Sequence, residues 1–343
     1  MNKIIVTGGL GFIGTNLINK LSKDRNNIIL NIDKITYSSN LSTNINYLKK
    51  KNYYFERIDL FKDFNLLNKV ILNFQPDFIF HLAAESHVDL SLKNSINFFD
   101  TNVKGTLNLL ISVENYLNKF KNKSKNFKFI HVGTDEIYGD LELNSKKRFN
   151  ENSKILPNNP YSASKACGVI LARTWFKNFQ FPVIITNSVN NYGIFQFPEK
   201  FIPRSVLTSL FKKRIEVYGN GKNVRSWIHV DDHIEALILV AKKGNVGETY
   251  NISTNFDISN IKVAKLIQSI LHRKKIKAKI YFVKDRLGHD KRYSVDNRKI
   301  KKLGWKYSVN FFEKLEQTIE WYLKKENLIY FKNLRTEILR KGL

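Results

Sequence analysis

The feature that most narrows what this chain can fold into is the turn Val6-Thr7-Gly8-Gly9-Leu10-Gly11-Phe12-Ile13-Gly14, set between an apolar strand pattern and a helical one. Lacking a Cβ, glycine accepts tight turns and close backbone approach. A helix starting directly after such a turn presents unpaired N–H groups and a positive dipole end to a pyrophosphate. Gly8, Gly11, Phe12, Ile13 and Gly14 are therefore the expected contacts of a dinucleotide. Asp33 ends the second strand pattern. An acidic residue about 20 positions beyond the turn accepts hydrogen bonds from the adenosine ribose and repels a 2′-phosphate, which favours NAD over NADP.

Apolar, β-branched runs at Lys3–Thr7, Ile28–Asp33, Tyr53–Asp59, Phe78–Leu82, Phe127–Val132 and Val183–Thr186 alternate with helical patterns at Phe12–Leu21, Phe64–Asn73, Val103–Leu117 and Ser162–Asn178. Such alternation predicts an α/β fold, a Rossmann-type doubly wound parallel sheet with right-handed crossovers. Ligands of such sheets bind at the carboxyl ends of the strands, where Asp59-Leu60 and Leu82-Ala83-Ala84-Glu85 stand as further cofactor candidates. Beyond Asn190 the pattern shortens and is broken by Pro198, Pro203 and several glycines. We expect a cofactor domain over residues 1–189 and a smaller α/β substrate-binding domain over 190–343, interleaved with the first.

Composition excludes several classes. With 43% apolar and 13% aromatic residues the chain can build a core. No apolar run is long enough to span a bilayer, and the N-terminus enters a strand without a leader pattern. Cys167 stands alone, which rules out an intrachain disulfide or a cysteine zinc cage; no metal is expected, and the setting should be cytoplasmic. The net charge of +27 is dispersed and mostly lysine, densest over His272–Lys279. Without a zinc-finger, RNA-recognition or helix-turn-helix pattern, it reads as solvated surface and not as a nucleic-acid site.

Two further clusters carry chemistry. Tyr161 and Lys165 stand four residues apart in a helical pattern opened by Asn159-Pro160, so they share a helix face. A tyrosine near pKa 10 is a poor base at neutrality, but the Lys165 ammonium and a cationic nicotinamide should lower it. Thr134-Asp135-Glu136 follows a strand at the same sheet edge. Two adjacent carboxyls in different environments can divide into an acid and a base.

These motifs resemble the extended short-chain dehydrogenase/reductases, and more closely the dTDP-glucose 4,6-dehydratase family. The resemblance runs through Asn31–Tyr37, His81–Asp89, Thr101–Thr106, Thr134–Gly139, Pro160–Ala166, Asn190–Gly193, Gln196–Lys200, Val224-Arg225, Asp285–Tyr293 and Leu303-Gly304-Trp305. It implies that Tyr161 deprotonates a hexose C4 hydroxyl as hydride leaves for NAD⁺, aided by Lys165 and with Thr134 bonded to the C4 oxygen. Glu136 would then take the C5 proton, Asp135 would protonate the departing C6 hydroxyl, and hydride would return to C6. The same resemblance places Lys34, Ile35, Thr36, Thr101 and Asn191 along NAD. It places Ser86, Asn190, Lys200, Phe201, Tyr218, Arg225, Asn260, Arg286 and His289 along a nucleoside-diphosphate hexose. It also implies a homodimer through the helices at Val103–Leu117 and Ser162–Asn178. The chain departs from the family pattern at Leu90, Gly133, Ser188-Val189, Ser226 and Leu287, which leaves UDP-glucose open beside dTDP-glucose. UDP-hexose 4-epimerases and UDP-glucuronate decarboxylases share the glycine turn and the Tyr/Lys pair but do not need Asp135-Glu136. A non-catalytic NAD-binding regulator would need neither pair.

Overall fold

The computed structural model describes residues 2–285, 288–307 and 310–328. The chain runs β1 (Asn2–Thr7), α1 (Phe12–Leu21), β2 (Asn27–Asp33), α2 (Leu41–Tyr47), β3 (Tyr53–Arg57), α3 (Phe64–Phe74) and β4 (Phe78–His81). It continues with α4 (Val88–Lys93), α5 (Ser95–Phe99), α6 (Gly105–Lys119), β5 (Lys128–Thr134), α7 (Pro160–Phe179), β6 (Val183–Ser188) and β7 (Asn190–Tyr192). Then follow α8 (Phe201–Lys212), β8 (Arg214–Tyr218), β9 (Val224–His229), α9 (Val230–Lys243), β10 (Thr249–Ile252) and β11 (Asp257–Ser259). The last elements are α10 (Asn260–Arg273), β12 (Lys279–Val283), α11 (Arg298–Lys302) and α12 (Phe311–Leu323).

Seven strands form one parallel sheet in the order β10-β6-β5-β4-β1-β2-β3. Helices cover both faces, so the strands are apolar almost throughout, as in the fully buried β6. Since all neighbours are parallel, Thr7, Asp33, His81, Thr134 and Ser188 end on the same edge. The order reverses at β1, and a crevice opens beside its carboxyl end.

Two features differ from the sequence reading. β10, from the C-terminal half, pairs with β6 as a seventh strand, which the short run Thr249–Ile252 in an irregular region did not announce. The helix expected at Val103 instead opens with a π-turn over Asp100–Lys104 before α6 begins. A second core, with Tyr192, Val206, Trp227, Ile267, Leu315 and Tyr322 among its members, unites α8, α10 and α12 with β8 and β9.

Candidate active site

The glycine turn folds as its composition demands. Gly8 takes φ +71°, and a Cβ there would lie 2.6 Å from the Ala83 backbone; one on Gly14 would lie 2.3 Å from the Gly8 carbonyl. No side chain caps α1 at Gly11, and no acidic residue stands in its first turn, so its N-terminus faces the crevice undischarged. Asp33 is buried, and its two carboxylate oxygens accept from Leu10 N (3.0 Å) and Ile35 N (2.8 Å). Asp33 thus also ties the turn to the end of β2. Burial holds its carboxyl above the usual range, which favours further donors such as ribose hydroxyls.

Gly8, Gly11, Phe12, Ile13, Gly14, Leu82, Ala84, Tyr161, Lys165 and Asn191 line a single cavity of about 380 Å³. Asp33, Lys34, Ile35, Thr36, Asp59, Leu60, Ala83, Glu85 and Thr101 lie off its wall. Several of these brace the wall from behind: Lys34 Nζ reaches Thr101 Oγ1 at 2.9 Å and Glu85 Oε1 at 3.3 Å, and Ala83 backs Gly8. The residues fit a nicotinamide dinucleotide. The Gly8 cradle leaves no room for a Cβ, and the buried Asn191 Oδ1 on the wall has no hydrogen-bond partner.

Tyr161 is delivered by the start of α7. Asn159 Oδ1 accepts from Ser162 N (2.9 Å), Ser162 Oγ accepts from Asn159 N (3.2 Å), and Pro160 fills the first helical position. Lys165, one turn on, is buried and donates to the Val132 carbonyl at 2.8 Å. Burial lowers its ammonium to about 8. The expectation joined the Lys165 ammonium to a cationic nicotinamide; the protein groups by themselves act on the phenol in the other direction. Burial, reinforced by the charge of Glu136, pushes Tyr161 upward, with only a Thr134 hydrogen bond opposing. The physical reason is that the lysine is turned to β5, while the phenol sits in a dry pocket beside carboxyl groups.

Thr134 ends β5 and caps a 3-10 turn over Asp135–Tyr138, accepting from Glu136 N at 3.4 Å. That turn swings Asp135 and Glu136 into the cavity beside Tyr161. Burial and the neighbouring Glu136 hold the Asp135 carboxyl well above its ordinary range, which favours its protonated form. Its Oδ2 is buried without a partner.

Ser86, Asn190, Lys200, Phe201, Tyr218, Arg225, Asn260 and His289 line the same cavity; Arg286 lies outside the described residues. Lys200 Nζ donates to the Ser86 carbonyl at 2.6 Å. Arg225 stacks 4.5 Å above the Tyr293 ring, and its Nη atoms donate to the carbonyls of Val224, Lys291 and Asp290. Its charge acts on Asp135.

Two departures from the family pattern have a structural account. Gly133 is required because a Cβ there would lie 2.3 Å from Asn187 Oδ1, whose Nδ2 donates to the Tyr138 hydroxyl at 2.9 Å. Ser226 faces Asp257 across β9 and β11 and donates to its carboxylate, so an Asp at 226 would set two anions together. Sequence reasoning missed Asn102. Its amide pairs with both main-chain groups of Glu85 (2.9 and 3.0 Å) and donates to Ser164 Oγ (2.9 Å), binding the cofactor loop to α7. The available signal was a polar residue buried at the head of an apolar helix. Glu199, which accepts from Tyr37 at 2.6 Å, was also missed.

Fold and site together define a Rossmann-type dinucleotide enzyme that moves protons at the carboxyl edge of its sheet. The GDP-mannose 4,6 dehydratase family model matches residues 5–318. The dTDP-glucose 4,6-dehydratase of Haemophilus influenzae is 42% identical over 94% of this chain and 98% of its own. The dTDP-glucose 4,6-dehydratase of Bacillus anthracis, solved with NAD, superposes with a TM-score of 0.83 at 38% identity, covering 95% of this chain and 98% of that one. That of Streptomyces venezuelae, also solved with NAD, gives 0.86 at 33% identity with the same coverage. The chain belongs to the dTDP-glucose 4,6-dehydratase family.

Proposed function

We propose that this chain converts dTDP-glucose to its 4-keto-6-deoxy derivative by removing water across C5 and C6, with NAD held in the glycine cradle. The observation that carries the reading is the meeting, in one cavity, of the Tyr161–Thr134 pair with the buried Asp135 carboxyl beside Glu136. NAD, when bound, supplies the acceptor and donor for the hydride and a positive ring beside the phenol. Tyr161 takes the C4 hydroxyl proton, and Thr134 holds the C4 oxygen. Lys165, fixed on Val132, adds positive charge to the floor of this pocket. Glu136 removes the C5 proton, which the 4-ketone acidifies. Asp135 gives its proton to the C6 hydroxyl, which departs as water. A 4-epimerase has no use for the last two groups.

A homodimer is part of the proposal, supported by Ile96 and Phe99 on α5 and Ile170 on α7, exposed apolar side chains on two helices that pack against each other. So is a division near residue 189, with the later residues walling the sugar nucleotide, and a cytoplasmic setting. No helix among the described residues is long and apolar enough to cross a membrane.

Substrate deuterated at C4 tests the reaction. The product should carry the label at C6 and show the alkali-dependent absorbance of a 4-keto-6-deoxy sugar. A galactose epimer, or a label that stays at C4, would overturn the assignment.

A further inference from the structure

The proton-transfer groups and the cofactor cradle leave a charged pair in the cavity, on α8 and β8, without a task. Arg204, one turn into α8 beyond Lys200, and Glu216, on β8, both line the wall. Arg204 Nη2 meets Glu216 Oε2 at 2.7 Å, and Arg214 Nη2 holds the other carboxylate oxygen at 2.5 Å. The Glu216 side chain is only 10% exposed and that of Arg204 26%. Removing an ion pair from water is costly, and a packed apolar contact would join helix and strand at least as well. Two residues along β8 stands Tyr218, whose hydroxyl accepts from Arg204 Nη1 at 3.4 Å and whose ring shares the cavity. The pair stands on α8 and β8, elements of the second core, whereas Tyr161 and Asp135 stand at the carboxyl edge of the seven-stranded sheet. The pair therefore belongs to the part of the cavity remote from the reacting carbons, where the nucleoside of a sugar nucleotide must lie when its hexose sits at Tyr161.

We propose that Arg204 and Glu216 read the base of the nucleotide, selecting uracil or thymine over cytosine. Fixed side by side, a guanidinium donor and a carboxylate acceptor complement a base edge that carries C=O beside ring N–H. Uracil and thymine present that edge at C4 and N3. Cytosine, of the same size and ring shape, presents an amino donor beside an unprotonated nitrogen, which would leave Glu216 facing a lone pair and Arg204 facing N–H hydrogens. An unmatched buried polar group costs far more than a matched one gains, which is why such pairs discriminate. Tyr218 offers an aromatic surface that serves any pyrimidine equally.

This inference rests on the sugar-nucleotide reading above, so its test measures binding without turnover. The NAD-loaded full-length chain is titrated calorimetrically with dTDP, UDP and CDP, as parent, Glu216→Gln and Arg204→Gln. The parent should bind dTDP and UDP more tightly than CDP. Each variant should weaken dTDP and UDP by about tenfold while changing CDP by less than about threefold, as expected for losing a charge-assisted hydrogen bond. With dTDP-glucose, KM should rise with kcat preserved. An equal shift for all three nucleotides would show a pair that only ties α8 to β8. No shift, or a parent that binds CDP as well as dTDP, would likewise overturn the assignment. A chain that discriminates among the nucleotides as described yet fails to dehydrate dTDP-glucose would sink the dehydratase reading and leave this one standing.

Discussion

At the dinucleotide end of the cavity the wall is largely main chain: Gly8, Gly11 and Gly14 from one contiguous turn, held by the Asp33 carboxylate. At the end proposed for the sugar nucleotide the wall is side chain: Lys200, Tyr218, Arg225, Asn260 and His289, drawn from separate segments of the second half. A backbone cradle must exclude Cβ atoms and tolerates little variation, whereas a wall of long side chains can change its ligand one residue at a time. On the proposed assignment of these walls, cofactor and substrate are recognised by structurally separable devices.

The largest expected effect breaks the first device alone. Gly14→Ala places a Cβ against the Gly8 carbonyl and the Gly9 backbone, so the turn must open. Purified Gly14→Ala should lack bound NAD, and dehydration should be lost, while calorimetric binding of dTDP changes by less than about threefold because no wall side chain moves. Gly11→Ala, whose Cβ would meet Gly8 O at 3.3 Å, should fall between parent and Gly14→Ala. If dTDP affinity collapses in step with NAD occupancy, the two ends are one device and the comparison fails.

A smaller effect concerns the sheet behind the cradle. His81 and His131 pair across β4 and β5, fully buried; burial lowers His81 to about 3 and His131 well below its ordinary value. Between pH 6.5 and about 3 the unfolded chain binds protons that the folded chain refuses, so stability is lost as pH falls through that window. Asp135 acts in the opposite sense: its raised pKa contributes stability at low pH that is lost as pH rises from the unfolded value to the folded one. The histidines should dominate between pH 7 and 5, lowering the urea midpoint. Neither His131 ring nitrogen has a hydrogen-bond partner, so His131→Leu should lose less stability over that interval than the parent. An equal loss would remove His131 from the account.

The same contrast decides what could be read from the sequence. The cradle was legible because Gly8–Gly14 and Asp33 sit in a fixed order along a β-α-β unit, and the strand periods gave six of the seven central strands. The Tyr161/Lys165 helix was legible from its spacing and its Asn-Pro start. What joins these parts was not. Asn102 acts through a π-turn, and no hydrophobic period marks a π-turn. That Lys165 donates to the Val132 carbonyl could not be read either, because the strand beneath α7 sets its direction. On the substrate side, Arg225 and Asn260 could be picked out only by resemblance, and Arg204 and Glu216 not at all, since their meeting depends on how α8 packs on β8.

The central claim is that Tyr161 and Glu136 act in separate steps, oxidation at C4 before loss of the C5 proton. Glu136→Gln, loaded with NAD and mixed with dTDP-glucose, separates them. The account predicts a rise in reduced-nicotinamide absorbance with no 4-keto-6-deoxy product. A variant that binds dTDP-glucose normally yet never reduces its cofactor, or one that turns over like the parent, would contradict it.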